Sequence, residues 1–207
     1  MRAKMSSSMT DGATPPAGSA CAQQLARAGF KPLLVDQHEF PRDKVCGDGL
    51  IPDAHTAFGR MGVYQEVMKH AQRSPHVACI APRGGRVDVP GRLAVLPRAV
   101  LDDILRRAAI DDGAQWLAPA RFEAPLVDGH QRVVGARLKV GEQTHEVLAT
   151  WVVLATGAVP TALMAAGLCE RRTPSGVAMR AYVRHPKMAE RITGLEGRSG
   201  RRILGAG

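Results

Sequence analysis

Asp36, Arg42, Lys44 and Cys46 stand close together in the sequence, and their types suit the binding of a phosphorylated nucleotide. A carboxylate at the end of a strand accepts hydrogen bonds from ribose hydroxyls, and a guanidinium forks onto phosphate oxygens. A lysine adds a second positive charge, and a thiol adds a polarizable group in the same loop. Each also has a plainer reading: Asp36 as a helix cap or solvated loop acid, Lys44 as a solvated charge, Cys46 as an ordinary thiol. Further on, Arg98 opens a segment of helical character. A positive charge there is disfavoured unless an anion is close, so a phosphate contact is expected of Arg98. Thr156 and Gly157 end the apolar run WVVLA, where a turn from strand to helix needs glycine.

These residues need a scaffold, and the stretch Ala17 to Leu50 reads as one. Gly18 precedes a run of helix formers that ends at Gly29, where a helix C-cap belongs. Leu33-Leu34-Val35 is an apolar run suited to a parallel strand covered on both faces, and Asp36 closes it. A glycine turn, a helix, then a strand ending in an acid is how an α/β fold builds a dinucleotide site, with the pyrophosphate at the helix N-terminus.

Downstream, Ala54 to Ala71 is helical with a break near Gly62, and His76 to Ala81 is a strand followed by the hairpin turn Gly84-Gly85. Val87 to Val89 and Leu93 to Leu96 follow as two short strands. Arg98 to Ala109 is an amphipathic helix. Gln115 to Leu117 and Arg121 to Val127 are strands, and Val133 to Val140 forms a hairpin with Glu146 to Thr150 around Gly141. The strand beginning at Trp151 precedes a short helix at Thr161 to Leu168, and Gly176 to Val183 is one more strand.

Several chemistries are excluded. Cys21, Cys46, Cys79 and Cys169 form no CxxC pair and have no histidine at zinc spacing, so no metal site is expected. No Ser/His/Asp or Cys/His catalytic set emerges. A net charge of +9 favours an anionic partner. An aromatic content of 4% and the lack of a recognised nucleic-acid module argue against DNA or RNA, a distant alternative. The N-terminus lacks the apolar core of a secretory signal, and no apolar run approaches the roughly 20 residues of a membrane span. A cytoplasmic protein is expected, with peripheral membrane contact open to it.

The segments PAGSACAQQLARAGFKPLLVDQ, FPRDKVCGDGL, LPRAVLDDIL and WVVLATGA, in this order, resemble FAD-dependent oxidoreductases of the para-hydroxybenzoate hydroxylase type. Within that group the chain is most similar to the geranylgeranyl reductase family. The resemblance implies an α/β, Rossmann-like FAD-binding domain. It makes Gly18 the third glycine of the pyrophosphate turn, Asp36 the ribose acceptor and Arg42 a cofactor-binding arginine, with Lys44 beside it. It sets Cys46 and Gly47 beside the flavin ring, Cys46 being the flavin-proximal candidate. Arg98 and Asp102 open the helix that packs over the cofactor, and Thr156 and Gly157 form the second cofactor-side turn.

The family's first two glycines fall on Ala13 and Pro15, or on Gly12 after a shift, so weak or absent FAD binding is expected. Met5 to Thr10 is mostly polar, so the first strand is expected to be degraded or missing. The expected division is a disordered lead-in at 1–15, a partial FAD-binding domain at 16–170, the start of a substrate-binding sheet at 171–191 and a disordered tail at 192–207. The chain is thus expected to be truncated at both ends, with an incomplete substrate domain. The implied activity is reduction of carbon–carbon double bonds in a prenyl-type substrate, with NAD(P)H a candidate donor. A monooxygenase or halogenase on the same scaffold, or a non-catalytic remnant, are the alternatives.

Overall fold

Leu34 faces one way from its strand and Leu33 and Val35 the other, and all three are buried. That alternation requires a sheet covered on both sides. The computed structural model describes residues 8–11, 16–44, 46–81, 83–157, 160–170, 182–183 and 202–203. The elements open with β1 (Ser8–Asp11), α1 (Pro16–Arg27), β2 (Leu33–Val35), β3 (Gly49–Leu50), α2 (Pro52–Met61) and α3 (Tyr64–His70). Next come β4 (Gln72–Ile80), β5 (Arg86–Val95), α4 (Arg98–Asp111), β6 (Gln115–Leu117), β7 (Arg121–Val127) and β8 (Val133–Val140). The last are β9 (Gln143–Leu148), β10 (Trp151–Leu154), α5 (Thr161–Ala165), β11 (Tyr182–Val183) and β12 (Arg202–Ile203).

The central sheet is parallel, in the order β10-β1-β2-β6. On one face Leu34 packs with Ala22 of α1 and Ala109 of α4, small residues that let both helices approach the strand. On the other, Leu33 and Val35 meet Phe122, Ala136 and Leu138 of the antiparallel sheet β7-β8-β9, and Ala162 of α5. A separate core joins α2, α3 and the antiparallel sheet β3-β5-β4 to the first turns of α4 through Phe58, Val67, Leu96 and Leu105. Helix α4 therefore ties the two cores together. Gly62 breaks α2 from α3 with φ of 75°, and the N–H groups of Gly62 and Val63 cap the carbonyls of Gly59 and Phe58.

Two expectations are corrected. The first strand is present: Ser8–Asp11 lies between β10 and β2, in register from Ser8 on Trp151 to Asp11 on Leu154. Ladder hydrogen bonds come from the main chain, so a polar segment can serve as a strand where apolar neighbours flank it. The other correction concerns Val87–Val89 and Leu93–Leu96, which are one strand, β5. Pro90-Gly91-Arg92 is absorbed as an irregularity of the ladder opposite Ser74 and His76. Arg202–Ile203, expected in the tail, pairs antiparallel with Tyr182–Val183. The rest of the lead-in, of the substrate-binding sheet (the strand from Gly176 up to Tyr182 included) and of the tail lies outside the described residues. No helix among the described residues is long and apolar enough to cross a membrane.

At Gly135 a side chain has no room, because its Cβ would run into the main-chain carbonyl oxygen of Val147 on the adjacent strand. Gly135→Ala is expected to destabilise the protein by about 2–3 kcal/mol, as overpacking against rigid backbone does. A urea unfolding midpoint equal to that of the unaltered chain would show that β9 gives way freely.

Candidate functional site

Parallel strands align their C-terminal ends on one edge, and most of the sequence candidates gather there. Asp36 follows β2, and Thr156 and Gly157 follow β10. Helix α1, whose third residue is the buried Gly18, follows β1 across residues 12–15, which lie outside the described residues, as do the alternative glycine-turn positions Gly12, Ala13 and Pro15. The chain leaves β1 for β2 on one side while β10 lies on the other. Such a switch point is where open α/β sheets bind ligands.

The backbone of Asp36 is fixed to the end of β6: its N–H donates to Leu117 O (3.2 Å), and its carbonyl accepts from Ala120 N (2.8 Å). Its carboxylate is wholly buried. Oδ1 accepts the N–H of His38 at 2.8 Å, and Oδ2 accepts Arg42 Nη2 at 3.3 Å. It is neither a helix cap nor a solvated loop acid. The Arg42 guanidinium lies 4.7 Å over the Phe40 ring, which meets Trp116 edge-on, and its Nη1 is 3.5 Å from Asp102 Oδ2. Asp102 in turn receives Arg98 through two bonds, Nε to Oδ1 at 2.8 Å and Nη2 to Oδ2 at 3.0 Å. Asp36, Arg42, Asp102 and Arg98 thus form a buried chain of alternating charge.

Asp102, one turn on in the same helix, supplies an anion beside Arg98. The N–H of Arg98 donates to Asp48 Oδ1 at 3.2 Å, and the Asp48 carbonyl accepts Leu96 N at 2.9 Å. Asp48 is a residue the sequence reading passed over as a tether. The available signal was Pro97, which occupies the cap position of α4 and offers no side-chain acceptor to the first N–H groups.

Lys44 is half-buried, and its ammonium is held below the ordinary lysine range. Burial is the main cause, and repulsion from Arg98 and Arg42 outweighs attraction from Asp102 and Cys46. Cys46 and Gly47 are exposed. A Cβ at Gly47 would meet no heavy atom within 4 Å, so packing among the described residues does not explain its small size. Thr156 is buried, and Gly157 has φ of 67°, a turn conformation that favours glycine.

Lys44 gives a direct check. The folded state releases its proton more readily than the unfolded chain does, so its contribution to stability rises with pH between the folded value and about 10.4. In an NMR titration of lysine side-chain carbons, Lys44 is expected to titrate below the ordinary lysine range, and to move up when an anion binds beside it. A Lys44 midpoint within the ordinary lysine range would contradict this electrostatic picture.

The family model described as FAD binding domain matches residues 12–188. The menaquinone reductase of Mycolicibacterium smegmatis is 33% identical over 183 residues, covering 84% of this chain and 44% of that protein. Digeranylgeranylglycerophospholipid reductase 2 of Methanopyrus kandleri is 32% identical, with 69% of this chain and 35% of that protein covered. The chain therefore spans less than half the length of these curated relatives. Among solved structures, the flavin-dependent brominase Bmp2 superposes with a TM-score of 0.71 at 22% identity, covering 86% of this chain and 42% of that one, a likeness of fold.

Proposed function

The chain belongs to the FAD binding domain family, and from that premise we propose that it reduces carbon–carbon double bonds of a prenyl-type substrate, drawing on NAD(P)H. The family makes the chain's type that of a flavoenzyme, an FAD-dependent oxidoreductase. The names of the two reductases above support a prenyl-bearing substrate. A cytoplasmic location with peripheral access to lipid accords with such a substrate.

The residues present fit the cofactor. Arg42, Lys44 and Arg98 stand together beside the C-terminal end of β2, where the phosphates of a dinucleotide need cationic donors. When bound, FAD supplies hydride transfer. In this reading the N-terminal turn of α1, with Gly18, receives the pyrophosphate. Arg42 and Lys44 bind phosphate oxygens, and Arg98 stiffens that wall through Asp102. Asp36 accepts the ribose hydroxyls, Cys46 and Gly47 border the flavin ring, and Thr156 and Gly157 close the adenosine side.

One observation carries the assignment of Arg42. Its contacts to Asp36 and Asp102, at 3.3 and 3.5 Å, are longer than the 2.8 and 3.0 Å bonds of Arg98 to Asp102. Charge-assisted bonds are strongest near 2.7–2.9 Å. These two contacts are therefore weaker than those of Arg98, and in this reading Arg42 turns from them to a phosphate while Asp36 Oδ2 faces a ribose hydroxyl.

Titrating the full chain with FAD while following flavin fluorescence tests the proposal. Weak but saturable quenching is expected, weakened about a further tenfold in Arg42→Gln by the loss of a charge-assisted hydrogen bond. No saturable change would sink the claim that this chain holds the cofactor.

A further inference from the structure

His55 in α2 is 8% exposed, and neither ring nitrogen has a hydrogen-bond partner among the described residues. A buried imidazole always carries at least one N–H donor, so leaving both nitrogens unmatched is costly unless a ligand or water meets them. The ring borders a cavity of about 290 Å³ lined also by Pro52, Thr56, Tyr64 and Arg92. That volume lies at the small end of ligand pockets.

The polar groups around it are biased toward donation. Tyr64 Oη accepts Arg92 Nη2 at 3.4 Å, which leaves the phenolic O–H to donate elsewhere. Arg92 is exposed and keeps further N–H groups for the cavity mouth. The rings of His55 and Tyr64 stand 5.8 Å apart, so the imidazole and the phenol share one wall. Thr56 Oγ1 is engaged with Pro52 O at 3.3 Å. None of the lining residues is acidic.

We propose that this cavity binds a small oxyanion, a carboxylate or phosphate on a short organic body. Arg92 meets it at the rim, Tyr64 donates through its hydroxyl, and His55 closes the buried side. None of the lining residues belongs to the set gathered at the carboxyl edge of the parallel sheet, and the proposal stands whether or not that edge holds FAD.

The test uses the full chain, labelled at histidine ring carbons and titrated with sodium phosphate and, separately, sodium benzoate at constant ionic strength. The His55 signals, identified by their loss in His55→Gln, are expected to shift saturably with at least one anion, and the preferred one distinguishes phosphate from carboxylate. Arg92→Gln is expected to weaken binding about tenfold or more, and Tyr64→Phe, which keeps the ring and removes the donor, about threefold or more. The same titration with FAD present is expected to give the same affinity. The proposal is overturned by linear, unsaturable shifts with both anions, by equal affinity in Arg92→Gln, or by competition from FAD. Failure of FAD to bind would leave these titrations unchanged, so the two assignments fail separately.

Discussion

Replacing Arg98 by Met is expected to lower the unfolding free energy by about 3–5 kcal/mol, because it leaves the buried Asp102 carboxylate without its two-bond partner. Asp102 is 1% exposed, and its ion pair with Arg42 is longer, at 3.5 Å. For a chain of 207 residues a loss of this size lowers the melting temperature by roughly 10 °C. The pH dependence separates the charge effect from lost packing. Burial pushes the Asp102 carboxyl upward, against the hydrogen bond and charge of Arg98 and the charges of Arg42 and Lys44. The native state therefore holds this proton more tightly than the unfolded chain. The stability tied to it is fully present below the unfolded value of about 3.9 and is lost as pH rises through the folded one. Removing Arg98 raises the folded value further, so the penalty of Arg98→Met shrinks as pH falls from neutrality toward that value. A penalty that does not change with pH would assign the loss to packing. Arg98→Met with Asp102→Leu is expected to regain much of the stability, since an apolar pair of similar volume needs no desolvation of charge.

Which parts of the structure were legible in the sequence follows from what each part depends on. Gln115 to Leu117, Arg121 to Val127 and Val133 to Val140 coincide with β6, β7 and β8 because their boundaries are set locally, by turn residues and apolar alternation. Strand β1 was illegible for the opposite reason. Ser8–Asp11 has little strand signal of its own and is held by ladders to β2 and β10, which lie far along the chain. The site divides in the same way. Asp36, Arg42, Arg98 and Asp102 were singled out by type and position, and the fold brings them into one buried chain. The pairing within it was not readable, because whether Arg98 faces an external phosphate or its own Asp102 depends on a side-chain choice after the helix has formed. His55 carried no signal at all: its significance lies in two unmatched nitrogens beside a cavity built by α2, α3 and β5.

Asp36→Asn is expected to reduce stability by about 2–4 kcal/mol and to weaken FAD binding, and the two effects have different physical origins. The amide keeps an acceptor for the N–H of His38 but turns its NH₂ toward Arg42 Nη2, setting donor against donor where Oδ2 now sits 3.3 Å away. A fully buried mismatch of this kind is the source of the stability loss, which thermal unfolding in the absence of flavin measures. If Asp36 also accepts ribose hydroxyls, the substitution removes the charged acceptor from the adenosine half of the cofactor, and FAD affinity is expected to fall about tenfold or more. FMN lacks that ribose, so its binding reports only the indirect effect of a loosened loop on the residues beside the flavin ring. Loss of FAD affinity with FMN affinity unchanged identifies Asp36 as the ribose acceptor. Equal losses for both would confine it to holding Arg42 and the end of β2 in place. In that case the network, rather than the acid, is what the ligand reads. Arg42→Gln decides between the two from the other side: it deprives both flavins of a phosphate contact while leaving the bond from His38 N–H to Asp36 intact.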